Sequence, residues 1–387
     1  MSSPKINLIH IVLEMNIGGL QRLITDMTLA MDRERFNIEV ICLDDLGCFA
    51  EVLQSHGVAV HLLRRHDRHL ALYPLRLAKF LRARKAHIIH MHPATFIFGA
   101  LASPFAGRPI VVYTEHGRAV PEERVRVMED RVSGFFVDRI IAVSKDLESY
   151  LADTVKLPAG KICTVINGIC VKDFQPRPKA PALLHEFGIA PDAKVLGTVA
   201  RIDSVKDQLT MIKAFALARQ RVPQARLLLV GDGPLRAELE EYARGNGLAD
   251  VVQITGQRSD VPKLLNLFDI FVLSSLREGT SISLLEAMAS GVAPIVTKVG
   301  GNPAIVAHGV DGLLVEPQNP ETLAAAMVEL LADDTRRRVI AERATRKVHE
   351  EFSIETMARK YVAIYYELLR RRRKFRHLVP AEAARRD

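Results

Sequence analysis

The chain predicts two doubly wound α/β domains, each a parallel sheet flanked by helices. Three observations carry this. Short apolar runs alternate with amphipathic stretches of ten or more residues from end to end, the pattern of βαβ units. The alternation breaks once, at residues 172–193, where Gln175-Pro176-Arg177-Pro178-Lys179-Ala180-Pro181 reads as a linker, and then restarts. The length, 387 residues, suits two cores at roughly 100–200 residues per domain.

In the first half the expected strands are Ile6–Val12, Ile38–Leu43, Val58–Leu63, His87–Met91, Ile110–Thr114, Arg139–Val143 and Lys161–Ile166, with helices such as Leu20–Met31 and Pro74–Arg84 between them. In the second half they are Val195–Val199, Arg226–Val230, Val251–Ile254, Ile270–Leu273, Ala293–Val296 and Gly312–Val315. Two helical stretches, 320–349 and 354–374, close the chain. Two such halves on a linker put a cleft between domains, where ligand sites concentrate.

Composition excludes several classes. Hydrophobic residues at 48% and charged residues at 25% exclude a disordered chain. Charges interrupt every apolar run before the roughly 18 residues that a membrane span needs. The first apolar run reads as a strand and not as a secretion leader. Cys42, Cys48, Cys163 and Cys170 match neither a zinc spacing nor a disulfide framework, and read as free thiols in a reducing cytoplasm. The net charge of +8 is uneven. Residues 61–87 hold eight Lys and Arg against Asp67, and residues 370–387 hold eight against two acids. Two basic patches point to anionic partners, either a phosphate-bearing substrate or an acidic membrane surface. In 74–84 the apolar set Leu77, Phe80 and Leu81 has helical spacing, with Arg76, Lys79, Arg82 and Lys85 around it. This face is the expected lipid-docking patch, against an ordinary domain helix with solvated charges.

The most informative segment runs from Arg277-Glu278-Gly279-Thr280-Ser281 to Gly291, after the strand Ile270–Leu273. It reads as strand, small-residue loop and helix. A helix start fed by such a loop binds anions, since its unpaired N–H groups face outward. Thr280 and Ser281 add hydroxyl donors. Glu278 in the loop and Glu286 one to two turns into the helix can bracket a ligand, each gripping a sugar ring. The alternative is a capping box, because Ser283-x-x-Glu286 fits that pattern. Gly231-Asp232-Gly233 invites a dinucleotide reading, but Pro234-Leu235-Arg236 breaks Gly-x-Gly-x-x-Gly.

Glu278-x7-Glu286, then Ala287-Met288-Ala289-Ser290-Gly291 and Val299-Gly300-Gly301-Asn302-Pro303, resembles the hallmark of the family-4 retaining glycosyltransferases of GT-B fold. The resemblance continues in Gly18-Gly19, Thr114-Glu115-His116-Gly117-Arg118, Ala142-Val143-Ser144, Ile166-Asn167-Gly168-Ile169, Gly197-Thr198-Val199-Ala200-Arg201, Lys206-Asp207 and Val230-Gly231-Asp232-Gly233-Pro234. Within the family the chain resembles sugar transferases associated with exopolysaccharide loci of the PEP-CTERM/EpsH type. It departs from the family's usual Glu-Gly-Phe-Gly loop at Thr280-Ser281.

The resemblance implies an acceptor domain at 1–170 and a nucleotide-sugar domain at 171–352, facing across a cleft. A helix at 353–374 crosses back to the first domain, and a basic flexible tail follows at 375–387. It implies transfer of a sugar, with retention and without a metal or cofactor, from a nucleotide diphosphate sugar to a glycan or lipid-linked acceptor. No Asp-x-Asp motif offers a metal, and nucleic acid is not among the expected partners. The location implied is the cytoplasm, at the inner face of the membrane. His116 faces the donor sugar, Arg201 and Lys206 meet the diphosphate, Gly18 and Gly19 cover it, and Gly279, Thr280, Ser281 and Glu286 hold the rest of the donor beside Glu278. Rival readings on the same scaffold are a nucleotide-sugar epimerase and a non-catalytic binding protein.

Overall fold

The structure, a computed structural model, describes residues 4–16, 18–65, 72–118 and 124–380. It divides into two compact units, Met1–Asn167 with Ile354–Asp387, and Gly168–Ser353. All thirteen expected strands form.

In the first unit they are β1 (Ile6–Val12), β2 (Phe36–Cys42), β3 (Ala59–Leu62), β4 (Ile88–Met91), β5 (Ile110–Glu115), β6 (Arg139–Ala142) and β7 (Ile162–Thr164). They lie parallel in the order β3-β2-β1-β4-β5-β6-β7. The order reverses between β1 and β4, paired in register at His10 and His90. Ligands of open α/β sheets bind at such a switch point, beyond the strand C-termini. Ile9, Ile11, Ile89 and Met91 lie in one core with Leu77 and Leu81 of helix Tyr73–Ala83. Val12, Val40 and Cys42 lie in another with Ile24 of helix Gly19–Ala30 and Leu53 of helix Cys48–Ser55.

Helix Ile354–Arg371 belongs to this unit, and its inward face explains why. Tyr361, Tyr365, Leu368 and Leu369 are buried, and Glu367 pairs with Arg139 at 2.6 Å. The expected loose tail is corrected in part. Arg373–Leu378 makes a 3-10 turn with Phe375 and Leu378 buried, and Lys374 donates to the carbonyls of Gly107 and Arg108 at 2.6 and 2.9 Å. Residues 381–387 of that tail lie outside the described residues.

The second unit contains β8 (Val195–Val199), β9 (Arg226–Val230), β10 (Val252–Ile254), β11 (Ile270–Leu273), β12 (Ala293–Thr297) and β13 (Leu313–Val315). Their order is β10-β9-β8-β11-β12-β13, with the switch point between β8 and β11. The proline-dense 172–193 stretch is not a free linker, because its apolar side chains have a surface to bury against. Phe174, Leu183, Leu184 and Ile189 are buried, and Lys179 pairs with Asp269 at 2.6 Å. The expected 320–349 helix is two helices, Pro320–Ala332 and Asp334–Glu351. Asp333 separates them in extended conformation, and its carboxylate accepts the Arg336 N–H as an N-cap.

In the expected lipid patch at 61–87, Arg76, Lys79, Arg82 and Lys85 stand exposed, while other members are used by the fold. Leu77 and Leu81 are core residues, Arg65 is paired with Asp44 at 2.6 Å, and Arg84 with Glu39. Asp67, Arg68 and Leu70 lie outside the described residues. The apolar side of that helix is therefore already used by the fold.

Candidate active site

In the second unit two loops meet at the switch point. The loop after β8 carries Arg201 and Lys206, and the loop after β11 carries Glu278. Leu276 donates its N–H to the Val205 carbonyl at 2.8 Å, and the Ser274 hydroxyl reaches the carbonyls of Lys206 and Asp207 at 2.9 and 2.8 Å. So laced, the loops bring together two residues 72 positions apart. Lys206 Nζ donates to Glu278 Oε1 at 2.7 Å, and the Ser275 hydroxyl donates to the same oxygen at 2.6 Å. The Glu278 side chain is only 7% exposed. Arg201 behaves differently: its side chain is 72% exposed, 3.8 Å from Asp203.

The backbone at Glu278 is fixed from the other side. Gly301 donates its N–H to the Glu278 carbonyl at 3.2 Å. At Gly300, φ is +51°, and a Cβ would come within 1.8 Å of that carbonyl oxygen. Only glycine fits there, which gives the Val299-Gly300-Gly301-Asn302-Pro303 run a steric cause. Asn302, fully buried, donates to the Thr297 carbonyl at 2.9 Å, and Thr297 in turn donates to the Ser275 carbonyl at 2.7 Å. Ser275, Thr297 and Asn302 thus shape the site. Ser275 and Thr297 were missed in the sequence, because a lone Ser or Thr shows no pattern and the Thr297 bond reaches a carbonyl 22 positions away. At the end of β9, a Cβ on Gly231 would lie 2.0 Å from the Ala200 carbonyl oxygen. Gly231-Asp232-Gly233 is therefore a close-packed strand end.

The helix expected after Glu278 is Ile282–Ala289. Its N-cap is Ser281, whose oxygen accepts the Leu284 N–H at 3.4 Å. This corrects one reading. Ser283 does not start a capping box, since it stands inside the helix and Glu286 falls at the fifth helical position instead of the third. Ser281, expected to offer its hydroxyl to a phosphate, is 5% exposed; its oxygen accepts the cap bond, which does not use its O–H proton. Gly279 and Thr280 lie in the turn leading to this helix start, and Glu286 is half-buried on it.

In the first unit Gly18 precedes helix Gly19–Ala30, which has neither a side-chain cap nor an acidic residue in its first turn. A Cβ at Gly19 would meet nothing within 4 Å, and one at Gly18 only the movable end of Gln21. Packing among the described residues therefore does not demand either glycine.

His116 follows β5 and is held by its neighbour. Glu115, fully buried, accepts the backbone N–H of His116 and of Gly117 at 3.1 and 3.3 Å. Its other oxygen takes Arg118 Nε at 2.9 Å and the Tyr113 hydroxyl at 2.7 Å, and Arg118 continues to Asp130 at 2.5 Å. Burial alone would lower the Arg118 pKa, but Glu115 and Asp130 outweigh it and hold the guanidinium charged. On the other side His116 Nε2 lies 3.4 Å from His92 Nδ1, and His92 Nε2 lies 3.1 Å from His10 Nδ1. Burial lowers the pKa of His116 and of His10 to about 3. Burial and the neighbouring imidazoles hold His90 and His92 well below their usual range. All four are neutral at pH 7. The structure brings His116 together with this cluster at the β1/β4 switch point.

The comparisons with known proteins agree with this architecture. Residues 17–173 match the family described as Glycosyltransferase Family 4, and residues 181–347 the one described as Glycosyl transferases group 1. The chain is 32% identical over 301 residues to the N-acetyl-alpha-D-glucosaminyl L-malate synthase of Bacillus anthracis, covering 76% of this chain and 78% of that one. It is 26% identical over 381 residues to the Escherichia coli UDP-Gal:alpha-D-GlcNAc-diphosphoundecaprenol alpha-1,3-galactosyltransferase, covering 94% and 98%. Among solved structures it resembles Anabaena Alr3699/HepE, crystallised in complex with UDP, with a TM-score of 0.82, 24% identity and coverage of 93% and 99%. Two parallel Rossmann-like sheets, two matched families in tandem and relatives spanning most of the chain lead to one assignment: the chain belongs to the family-4 glycosyltransferases and has the GT-B fold.

Proposed function

We propose that this glycosyltransferase moves a sugar from a nucleotide diphosphate sugar to a lipid-linked glycan acceptor, with retention, without a metal, in bacterial exopolysaccharide synthesis. The observation that carries the reading is the Lys206–Glu278 pair at the switch point of the second unit, beside the start of helix Ile282–Ala289. A departing nucleoside diphosphate gains negative charge as the glycosidic bond breaks. A fixed ammonium stabilises that charge more in the transition state than in the ground state. Arg201, with its head in solvent, supplies a second cation to the same phosphates. Glu278 has one oxygen engaged by Lys206 and Ser275, and the other serves as an acceptor for the hydroxyls of the transferred sugar. Glu286 receives the ribose, Gly279 and Thr280 the phosphates, and Gly18 and Gly19 admit phosphate close to the backbone of the first unit. With no carboxylate assigned beneath the anomeric carbon, the route is front-face substitution, in which the leaving phosphate oxygen takes the acceptor's proton. The Escherichia coli relative, named for a UDP-sugar donor and a diphosphoundecaprenol acceptor, supports this choice of substrates.

Thermal-shift screening of UDP, GDP and ADP tests the donor first. UDP should raise Tm by mass action, by the equivalent of about 2.7 kcal/mol at a hundredfold excess over Kd. Transfer from the matching UDP-sugar should then retain the donor's anomeric configuration by NMR and persist in EDTA. Free isomerised sugar nucleotide without acceptor would favour the epimerase reading. Inversion at the anomeric carbon or loss of activity in EDTA would refute the mechanism.

A lipid-linked acceptor must be met at a membrane. Among the described residues no helix is long and apolar enough to cross one. On the first unit, helix Arg124–Phe136 carries an exposed apolar stripe at helical spacing: Val125, Met128, Val132, Phe135 and Phe136, with Phe135 80% exposed. Arg124 and Arg131 stand exposed on the same helix. This helix is proposed as the lipid-docking face ahead of 61–87. Flotation with anionic vesicles should be weakened several-fold by Met128→Ser with Phe135→Ser, and little by Arg76→Gln with Lys79→Gln. Equal indifference of the wild type to anionic and neutral vesicles would remove membrane docking.

A further inference from the structure

The three-imidazole chain that ends at His116 has a direction, set by its buried end. His10 Nε2 is enclosed and has no hydrogen-bond partner among the described residues. A neutral imidazole has one N–H and one lone pair. If the chain ran outward to inward, with His116 Nε2–H donating to His92 and His92 Nε2–H to His10 Nδ1, the last proton would sit on His10 Nε2 with nothing to accept it. A buried orphan N–H is rarer and more costly than a buried orphan lone pair. The opposite direction leaves only the lone pair there: His10 Nδ1–H donates to His92 Nε2, and His92 Nδ1–H donates to His116 Nε2. His90 lies outside the chain, because its nitrogens face the Tyr365 and Thr114 hydroxyls at 2.6 and 2.7 Å. The rings of His90 and His92 stack at 4.5 Å, which holds His92 in place.

We propose that His10 and His92 are positioning residues that lock His116 as the Nδ1–H tautomer, so that His116 presents a proton and not a lone pair to the sugar. The tautomer of one imidazole is set by the hydrogen bond that its other nitrogen makes. The depressed basicity of all four rings supports this, since the chain works only while each is neutral. In that state His116 donates a hydrogen bond to a sugar hydroxyl oxygen and cannot act as the base for the acceptor hydroxyl. That leaves deprotonation to the leaving phosphate. The functional part rests on His116 lying in the sugar site, as proposed above; the tautomer itself does not.

Long-range 1H–15N spectra of the full chain with 15N-labelled histidine test this directly. His10, His92 and His116 should all carry the proton on Nδ1. His92→Phe should release His116 to the Nε2–H form and lower kcat about tenfold with KM for the donor unchanged. His92→Asn, whose side-chain NH2 replaces the Nδ1–H donor, should restore most of both. An Nε2–H His116 in the wild type overturns the proposal, as does a kcat loss in His92→Phe with the His116 tautomer unchanged. A stoichiometric zinc ion found by elemental analysis on His10 and His92 also overturns it, because a metal would take the place of the protons. Normal transfer by His116→Ala with the Nδ1–H tautomer present would sink the sugar-site reading and leave the imidazole chain standing.

Discussion

Lys206→Ala should lower sugar transfer by two to three orders of magnitude and destabilise the second unit at the same time. The loss of turnover follows from removing a preorganised charge partner of the departing diphosphate, worth roughly 10²–10³ in kcat. The loss of stability follows from the geometry. Glu278 is nearly buried, and without the ammonium at 2.7 Å only the Ser275 hydroxyl remains on that oxygen. Breaking a buried pair by removing one partner costs about 3–5 kcal/mol, mostly because the remaining charge is stranded. The double variant Lys206→Ala with Glu278→Gln should therefore regain much of the lost Tm and none of the lost activity. Arg201→Ala is the complementary control. Its head is in solvent, so turnover should fall by at least tenfold while Tm stays put. Near-normal transfer by Lys206→Ala would remove the pair from the site, whatever its effect on Tm.

Acid should unfold the first unit well before the carboxylates that are held low begin to titrate. An imidazole whose pKa is depressed by folding takes up its proton in the unfolded chain first. Unfolding is therefore favoured as pH falls through about 6.5, and continues to gain until the folded-state value, about 3 for His10 and His116, is reached. Each such histidine contributes about 1.4 kcal/mol per pH unit within that window. His10, His90, His92 and His116 act together in this direction, offset in part by Glu115, whose buried carboxyl is held above its usual range and takes up its proton first in the folded state. Carboxylates held low, such as Asp334 at about 2 beside Lys194 and Arg337, lose their contribution only below about pH 4, so the two effects separate. Calorimetry from pH 7.5 to 5 should show one transition falling steeply and a second, from the unit without the cluster, moving little. Proton uptake on unfolding at pH 5 should drop by about one in His10→Phe. A pH-independent Tm across that range would mean that the rings are not held neutral.

Much of the fold was legible because strand cores announce themselves locally. Runs such as Ile270-Phe271-Val272-Leu273 and Leu227-Leu228-Leu229-Val230 are apolar on both faces, as strands covered by helices on both sides must be. Ends were less legible. Ser281 and Ser283 are both plausible caps two residues apart, and only the observed bond from Leu284 chooses between them. The 61–87 charges were an incomplete guide for a related reason. Charge counts along the chain do not reveal that Arg65 and Arg84 already have carboxylate partners on Asp44 and Glu39, brought near by β2 and the loop that follows it.

The sequence by itself determined the alternating strands and helices, the break into two units within a few residues, and the motifs that announce a glycosyltransferase. Each of these is written in neighbours along the chain, where periodicity and turn chemistry act. Only the tertiary structure decided that Lys206 meets Glu278, that Gly300 must lack a side chain, and that His10 and His92 stand behind His116. Those contacts join residues from 22 to 82 positions apart. They exist because a parallel sheet reverses its winding between β1 and β4 and between β8 and β11, opening a gap at the strand ends into which loops from distant parts of the chain are folded.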